Sequence, residues 1–176
     1  MIYPYSSILF SFFLYYSNTM KKLVWLHNIR SVYNVGSIFR TADSLGVHHI
    51  YLSGYTPLPI DRFGRPRNDM NKVAIGAEKI ISWSQLKNPV DDIRELKKNG
   101  GYVIGIEQDS RAINIFTYTV PENKEIIIAM GEETVGMEQW QKDTCDSILE
   151  IPMYGIKESL NVSVAFGVAG YQTFKY

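Results

Sequence analysis

Polar side chains stand at the start of the last apolar segment of the chain. Residues 150–171 read EIPMYGIKESLNVSVAFGVAGY, in which a short strand breaks at a proline and a glycine and leads into a helix that is apolar almost all the way round. A helix of that composition belongs in a core. Its predicted first turn nevertheless carries Ser159, Asn161 and Ser163. Because a helix start offers free N–H groups and a partial positive charge, this junction is predicted to bind a ligand.

Another polar pair follows the first predicted strand. Residues 28–43 read NIRSVYNVGSIFRTAD, in which Asn34 is a natural N-cap for the next helix. Arg40 lies off the apolar stripe of that helix. A capping asparagine and an arginine directed to solvent would explain both residues without a function, so a binding role stays open for this pair taken alone.

The third polar loop, GEETVG at residues 131–136, directly follows the apolar run 126–130. A glycine at each end permits a tight turn and close approach of the backbone. The adjacent carboxylates Glu132 and Glu133 would repel a phosphate, and neither a Walker A motif nor GxGxxG occurs in the chain. The loop is therefore not a phosphate cradle, and alone it would also pass as a surface turn.

Taken together, the three segments resemble a known family. The order N-x-x-x-x-x-R-T-A-D, G-x-E-x-x-G and I-P-M-x-G-x-x-x-S-L-N-V-S-V-A is similar to the three motifs of the SpoU (TrmH-like) RNA ribose 2′-O-methyltransferases of the SPOUT superfamily. The resemblance covers about Leu23 to Tyr171. It implies an α/β fold with a C-terminal deep trefoil knot that holds S-adenosylmethionine, usually in a homodimer.

The resemblance also implies site residues. The catalytic positions of the motifs are matched by Asn34, Arg40, Glu133, Ser159 and Asn161. The positions that hold the cofactor are matched by Gly131, Ile151, Met153, Ser159 and Leu160. The sequence departs from the family at Thr134, where many relatives have glycine, and this leaves the geometry of that turn open.

Methyl transfer from a sulfonium to a ribose hydroxyl is an in-line displacement that needs alignment and stabilisation of charge on the oxygen. It requires no metal, and none is predicted. We expect Arg40 to contact the 2′-oxygen and the neighbouring phosphate as an electrostatic group, because its pKa is too high for a general base. Asn34 and Ser159 are expected to position the nucleotide, and Asn161 and Glu133 to brace the site.

A polar loop at residues 61–68, DRFGRPRN, combines arginines with an aromatic side chain. Such a loop could pair with phosphates and stack on a base, although a solvated loop explains it equally well. The predicted RNA-binding residues are Arg30, Arg62, Arg65 and Arg67. A structured tRNA is preferred over rRNA as the substrate.

Alternating apolar runs predict the elements that position these loops. Strands are predicted at 23–26, 49–53, 102–107, 125–130 and 147–153, and helices at 35–45, 70–77, 90–99, 137–145 and at the C-terminus. Continuous apolar strands alternating with helices indicate a parallel α/β/α sheet, with ligands beyond the carboxyl ends of the strands.

Composition narrows the class of protein. The 176 residues carry no net charge, but residues 21–79 hold nine Lys/Arg against four Asp/Glu, while 80–176 hold nine against fourteen. The basic first half could face an anion, or the charges could be scattered on solvated surfaces. One cysteine and three histidines without zinc spacing fit a reducing cytoplasm.

Residues 1–19 contain no charged side chain and include an apolar aromatic run that is too short to span a bilayer. We expect this leader to be disordered or a mis-assigned start, with Met20 beginning a single domain at 20–176 and no membrane association. Two other functions stay open: a non-catalytic RNA-binding relative with the same fold, and a small-molecule methyltransferase.

Overall fold

The apolar runs of the sequence, together with two short edge strands, form one parallel sheet of seven strands in the computed structural model, which describes residues 21–174. The predicted leader at 1–19 lies outside the described residues. The strands are β1 (Lys22–His27), β2 (His49–Ser53), β3 (Ser82–Gln85), β4 (Gly101–Ile106), β5 (Ile113–Asn114), β6 (Glu125–Met130) and β7 (Ser147–Glu150). Their order across the sheet is β3-β2-β1-β6-β4-β7-β5.

Helices connect the strands and cover the sheet. They are α1 (Val32–Ser44), α2 (Asn68–Ala74), α3 (Ala77–Ile80), α4 (Pro89–Lys98), α5 (Gln139–Thr144) and α6 (Val162–Thr173). Within residues 21–174, none of them is long and apolar enough to cross a membrane.

Side chains alternate between two cores, one on each face of the sheet. Leu26 and Ile128 pack with α1, α2 and α6, while Trp25 and Ile127 pack with α4 and α5. Successive side chains of a strand point to opposite faces, and here both faces are apolar because both are covered. The predicted α/β/α sheet is confirmed, and the deep trefoil knot stays a prediction.

The C-terminal helix differs from its predicted form. It begins at Val162, so Ser159 and Asn161 precede it instead of lying in its first turn. It also is not buried all round: Val164 is 51% exposed and Tyr171 is 64% exposed. The opposite face of α6 packs on α1, and a Cβ added at Gly170 would lie only 2.4 Å from Leu45 Cδ1.

Other differences lie at element ends and at the sheet edges. The helix predicted at 70–77 is divided, because Ile75 and Gly76 adopt positive φ angles of 51° and 90° between α2 and α3. The edge strands β3 and β5 were not predicted. β3 has the polar sequence SWSQ and β5 has only two residues, so neither carries an apolar run.

Candidate functional site

A pocket of about 300 Å³ opens where the chain leaves the carboxyl ends of β4, β6 and β7. We call residues 131–136 the β6 loop and residues 151–161 the β7 segment. The pocket wall includes every residue that the sequence predicted to hold the cofactor: Gly131, Ile151, Met153, Ser159 and Leu160. Glu133 also lines it.

The β6 loop turns tightly between its two glycines. Glu132 and Gly136 exchange backbone hydrogen bonds of 3.2 and 3.0 Å. A Cβ added at Gly131 would stand 2.6 Å from the Met137 nitrogen, and Gly136 has a φ of 73°. Both positions therefore require glycine, and the backbone at Gly131 borders the pocket directly.

Glu133 ties the β6 loop to the start of α1. Its carboxylate accepts hydrogen bonds from Arg30 N at 2.8 Å, Ser31 N at 3.0 Å and Asn34 Nδ2 at 2.9 Å. Burial opposes ionisation of the Glu133 carboxyl, but these three donors outweigh it and lower its pKa. The carboxylate is therefore held as an anion between two of the motifs.

Glu132, which the motif leaves variable, holds the loop itself together. Its buried carboxylate accepts from Val135 N at 2.6 Å and from Thr134 N and Thr134 Oγ1, each at 2.8 Å. These hydrogen bonds lower the pKa of Glu132, and the bond from Val135 N has the largest effect. Arg30, whose Nε lies 3.1 Å from Glu132 Oε1, makes a smaller contribution in the same direction. Thr134, which stands where many relatives have glycine, thus has a structural role, because its hydroxyl donates a hydrogen bond that a glycine could not.

Amide side chains join the three motifs. Ser31, and not Asn34 as predicted, is the N-cap of α1, accepting from Asn34 N at 3.3 Å. Asn34 sits in the first turn, where its Oδ1 accepts from Asn161 Nδ2 at 3.1 Å. Asn161 caps α6 by accepting from Ser163 N at 2.9 Å. Side-chain hydrogen bonds therefore connect Glu133 to Asn34 and Asn34 to Asn161 without a break.

Arg40 is not brought to this pocket. It is exposed on α1 six residues beyond Asn34, which is about 9 Å along the helix axis. Its guanidinium makes no hydrogen bond or ion pair with any other residue in 21–174, and it is absent from the pocket wall. It shares an exposed stripe of α1 with Tyr33, which is 57% exposed.

The arginine loop at 61–68 is largely paired internally. Arg67 forms two bonds of 2.7 and 3.1 Å with Asp69 and, mainly through them, lowers the pKa of Asp69 to about 2. Arg65 bonds Asp61. The guanidinium carbons of Arg62 and Arg65 lie 4.7 and 5.0 Å from the ring centre of Phe63, which is 66% exposed.

Sequence reasoning missed Glu107 and Gln108, which follow β4 and also line the pocket. Glu107 accepts hydrogen bonds from Met137 N at 2.6 Å and Gln108 N at 2.9 Å. The Gln108 side-chain amide donates to the carbonyl oxygen of Glu158 in the β7 segment. Their position at the carboxyl end of a predicted parallel strand was the available signal.

No group of His, Cys, Asp and Glu side chains among residues 21–174 is arranged to hold a metal ion. The polar atoms of the pocket are carboxylates, amides, hydroxyls and backbone groups. This arrangement can position an organic ligand and a polar substrate group by hydrogen bonds and charge.

Comparisons with known proteins agree on the family. The family model described as SpoU rRNA Methylase matches residues 21–171. The chain is 31% identical over 151 residues to the 23S rRNA (guanosine-2'-O-)-methyltransferase RlmB of Neisseria meningitidis, covering 86% of this chain and 57% of that protein. It is 32% identical over 154 residues to the RlmB of Nitrosomonas europaea, covering 87% and 55%. The chain thus spans somewhat more than half the length of these relatives.

Solved structures show the same fold. An AdoMet-bound rRNA methyltransferase from Sinorhizobium meliloti superposes with a TM-score of 0.77 at 24% identity, covering 86% of this chain and 55% of that one. The A. aeolicus TrmH/SpoU tRNA modifying enzyme gives 0.74 at 24% identity, covering 89% and 76%. With the family model matched over nearly all of the described residues, the chain belongs to the SpoU rRNA methylase family.

Proposed function

We propose that this protein is an S-adenosylmethionine-dependent methyltransferase that acts on a ribose 2′-hydroxyl of RNA. The observation that carries the proposal is the continuous contact of Glu133, Asn34 and Asn161, which unites the three motif segments beside one pocket. The relatives from Neisseria meningitidis and Nitrosomonas europaea are named as 23S rRNA (guanosine-2'-O-)-methyltransferases, which supports this proposal.

The pocket suits S-adenosylmethionine in size and chemistry. Its volume of about 300 Å³ is at the lower end of small-molecule sites, roughly 300–1,000 Å³. Ile106 and Val162 offer apolar surface for the adenine ring. We propose that the cofactor is held by Gly131, Ile151, Met153, Ser159 and Leu160. When bound, it supplies an electrophilic methyl group.

The chain's own residues then align and stabilise the reacting oxygen. In the proposed mechanism Asn34 and Ser159 position the nucleotide, while Glu133 and Asn161 brace the site by the bonds described above. The Arg40 guanidinium stabilises negative charge as it develops on the 2′-oxygen. The proton passes to the neighbouring phosphate or to solvent.

We propose that the active form is a homodimer. Arg40 is outside the pocket of its own protomer, while α1 and α6 lie side by side and expose Tyr33, Val164 and Tyr171. Burying these faces against a second copy would remove apolar surface from water. The same contact would bring Arg40 of one protomer to the pocket of the other.

For the substrate we propose rRNA in the cytoplasm, in place of the tRNA preferred from sequence alone. The change rests on the curated relatives at 31% and 32% identity, which are named for 23S rRNA. Within the predicted RNA-binding set, Arg62 is the strongest candidate for a phosphate contact. Arg65 and Arg67 have carboxylate partners, and Arg30 has Glu132.

Methyl transfer from labelled S-adenosylmethionine to unmodified rRNA and tRNA tests the proposal, with mapping of the modified nucleotide. We expect transfer to a ribose of rRNA. We expect Arg40→Ala to lower the rate by about a hundredfold or more, as loss of a charge-stabilising donor does, while cofactor affinity is kept. Arg94→Ala removes an exposed arginine on α4 and should leave the rate unchanged.

Three outcomes would contradict this function. RNA binding without transfer by the wild-type protein would favour the non-catalytic alternative. Transfer to a small molecule but to no RNA would favour the other alternative. Full turnover by Arg40→Ala would remove Arg40 from the mechanism.

A further inference from the structure

The walls of the cofactor pocket carry an unbalanced negative charge. The lining residues include four glutamates, at 107, 132, 133 and 158, and no Lys, Arg or His. Two of these carboxylates already have several partners. Glu132 is paired with Arg30, and Glu133 accepts three hydrogen bonds from the start of α1.

Glu107 is the half-buried glutamate of the pocket wall that has neither a cationic nor a side-chain partner among residues 21–174. Glu133 also lacks a cationic partner there but accepts three hydrogen bonds from the start of α1, and Glu158 is exposed. Each Glu107 oxygen accepts one backbone N–H, from Met137 and from Gln108. A carboxylate oxygen accepts more than one hydrogen bond, so these contacts fix the group in place and leave it able to meet a ligand.

The charge of the ligand suggests a role for the Glu107 carboxylate, and this role rests on the proposed function. S-adenosylmethionine bears a sulfonium, an ammonium and a carboxylate, a net charge of +1. The product S-adenosylhomocysteine has a neutral thioether and no net charge. We propose that Glu107 is the residue that discriminates between them, by favouring the cationic methyl donor over the neutral product. Loss of that attraction after transfer would ease product release.

Calorimetric affinities of wild type and Glu107→Gln for both ligands test the inference. We expect wild type to bind the donor more tightly than the product. In Glu107→Gln the ratio of the two dissociation constants should fall on the order of tenfold, the effect of one charge a few ångströms away in a partly solvated pocket. Glu122→Gln makes the same charge change in an exposed residue before β6, at the amino ends of the strands and away from the pocket. It should leave the ratio of the two dissociation constants unchanged.

Other outcomes would overturn the inference separately from the proposed function. Equal weakening of both ligands would make Glu107 a general binding residue, and unchanged affinity for both ligands would remove it from ligand recognition. Failure of wild type to bind either ligand would overturn the proposed function and this inference with it.

Discussion

At the residue scale, the two adjacent carboxylates of the β6 loop have different structural roles. Glu132 turns inward and holds its own loop, whereas Glu133 reaches across to α1. The glycine spacing of the motif was enough to single out Glu133 from sequence. It could not reveal the contacts of Glu132, because they depend on Thr134 and on Arg30, which is about a hundred residues away in the chain.

The lowered pKa of Glu133 predicts how stability depends on pH. Its ionised form contributes stability above the unfolded-state pKa of about 4.3, and this contribution is lost as the pH falls through the lower folded-state pKa. We expect Glu133→Gln to lower the free energy of unfolding by about 1 to 3 kcal/mol at pH 7. In urea titrations the difference from wild type should shrink below about pH 4.

Glu122→Gln is the control for these urea titrations, because the Glu122 side chain is exposed at the amino ends of the strands. Its free energy of unfolding should equal that of wild type at each pH. A difference between Glu133→Gln and wild type that stays constant from pH 7 to about pH 3 would show that the charge of Glu133 contributes nothing.

At the scale of elements, α1 shows what periodicity can and cannot predict. Its apolar stripe, with Val35, Ile38 and Phe39 buried, was readable from the sequence. The close crossing with α2 was not, because it depends on the backbone at Gly36. A Cβ there would lie 3.0 Å from the Met70 carbonyl oxygen.

Replacement of Gly36 by alanine should therefore reverse the usual sign of that change. In a free helix interior, Gly→Ala stabilises by about 1 kcal/mol. Here α2 must move, and we expect a net loss of about 1 to 3 kcal/mol in urea unfolding. Asp43→Ala, at an exposed position of the same helix, should be neutral or stabilising. A gain of stability in Gly36→Ala would mean that the two helices adjust freely.

At the scale of the whole molecule, the order of the elements was predictable and their assembly was not. Alternating apolar runs indicated a parallel sheet, and the polar loops after the strands indicated that the site lies at the carboxyl ends of the strands. The sequence could not indicate which side of α1 faces the pocket, because this depends on contacts of Asn34 with Glu133 and Asn161, which lie 99 and 127 positions away. Six residues at about 100° each separate the directions of Asn34 and Arg40 by about 120°.

Mixing two inactive variants tests the shared site. Arg40→Ala keeps an intact pocket, and Asn161→Asp keeps Arg40 and a capping side chain but loses the amide donor to Asn34. After random subunit exchange half the dimers are mixed, each with one complete site. The mixture should therefore recover about a quarter of wild-type methyl transfer.

Each variant alone, taken through the same exchange, is the control and should stay inactive. Absence of recovery in mixtures that contain mixed dimers would place Arg40 and the pocket of a single protomer in one site.

The bond between Asn34 and Asn161 joins residues 127 positions apart, and that from Asn34 to Glu133 spans 99. Contacts of such high sequence separation close long loops, and the entropy of closing those loops must be lost before the contacts form. The constellation therefore cannot be complete until the nascent polypeptide has been made at least through Asn161. Truncated or stalled products would contain the sheet strands but no assembled centre.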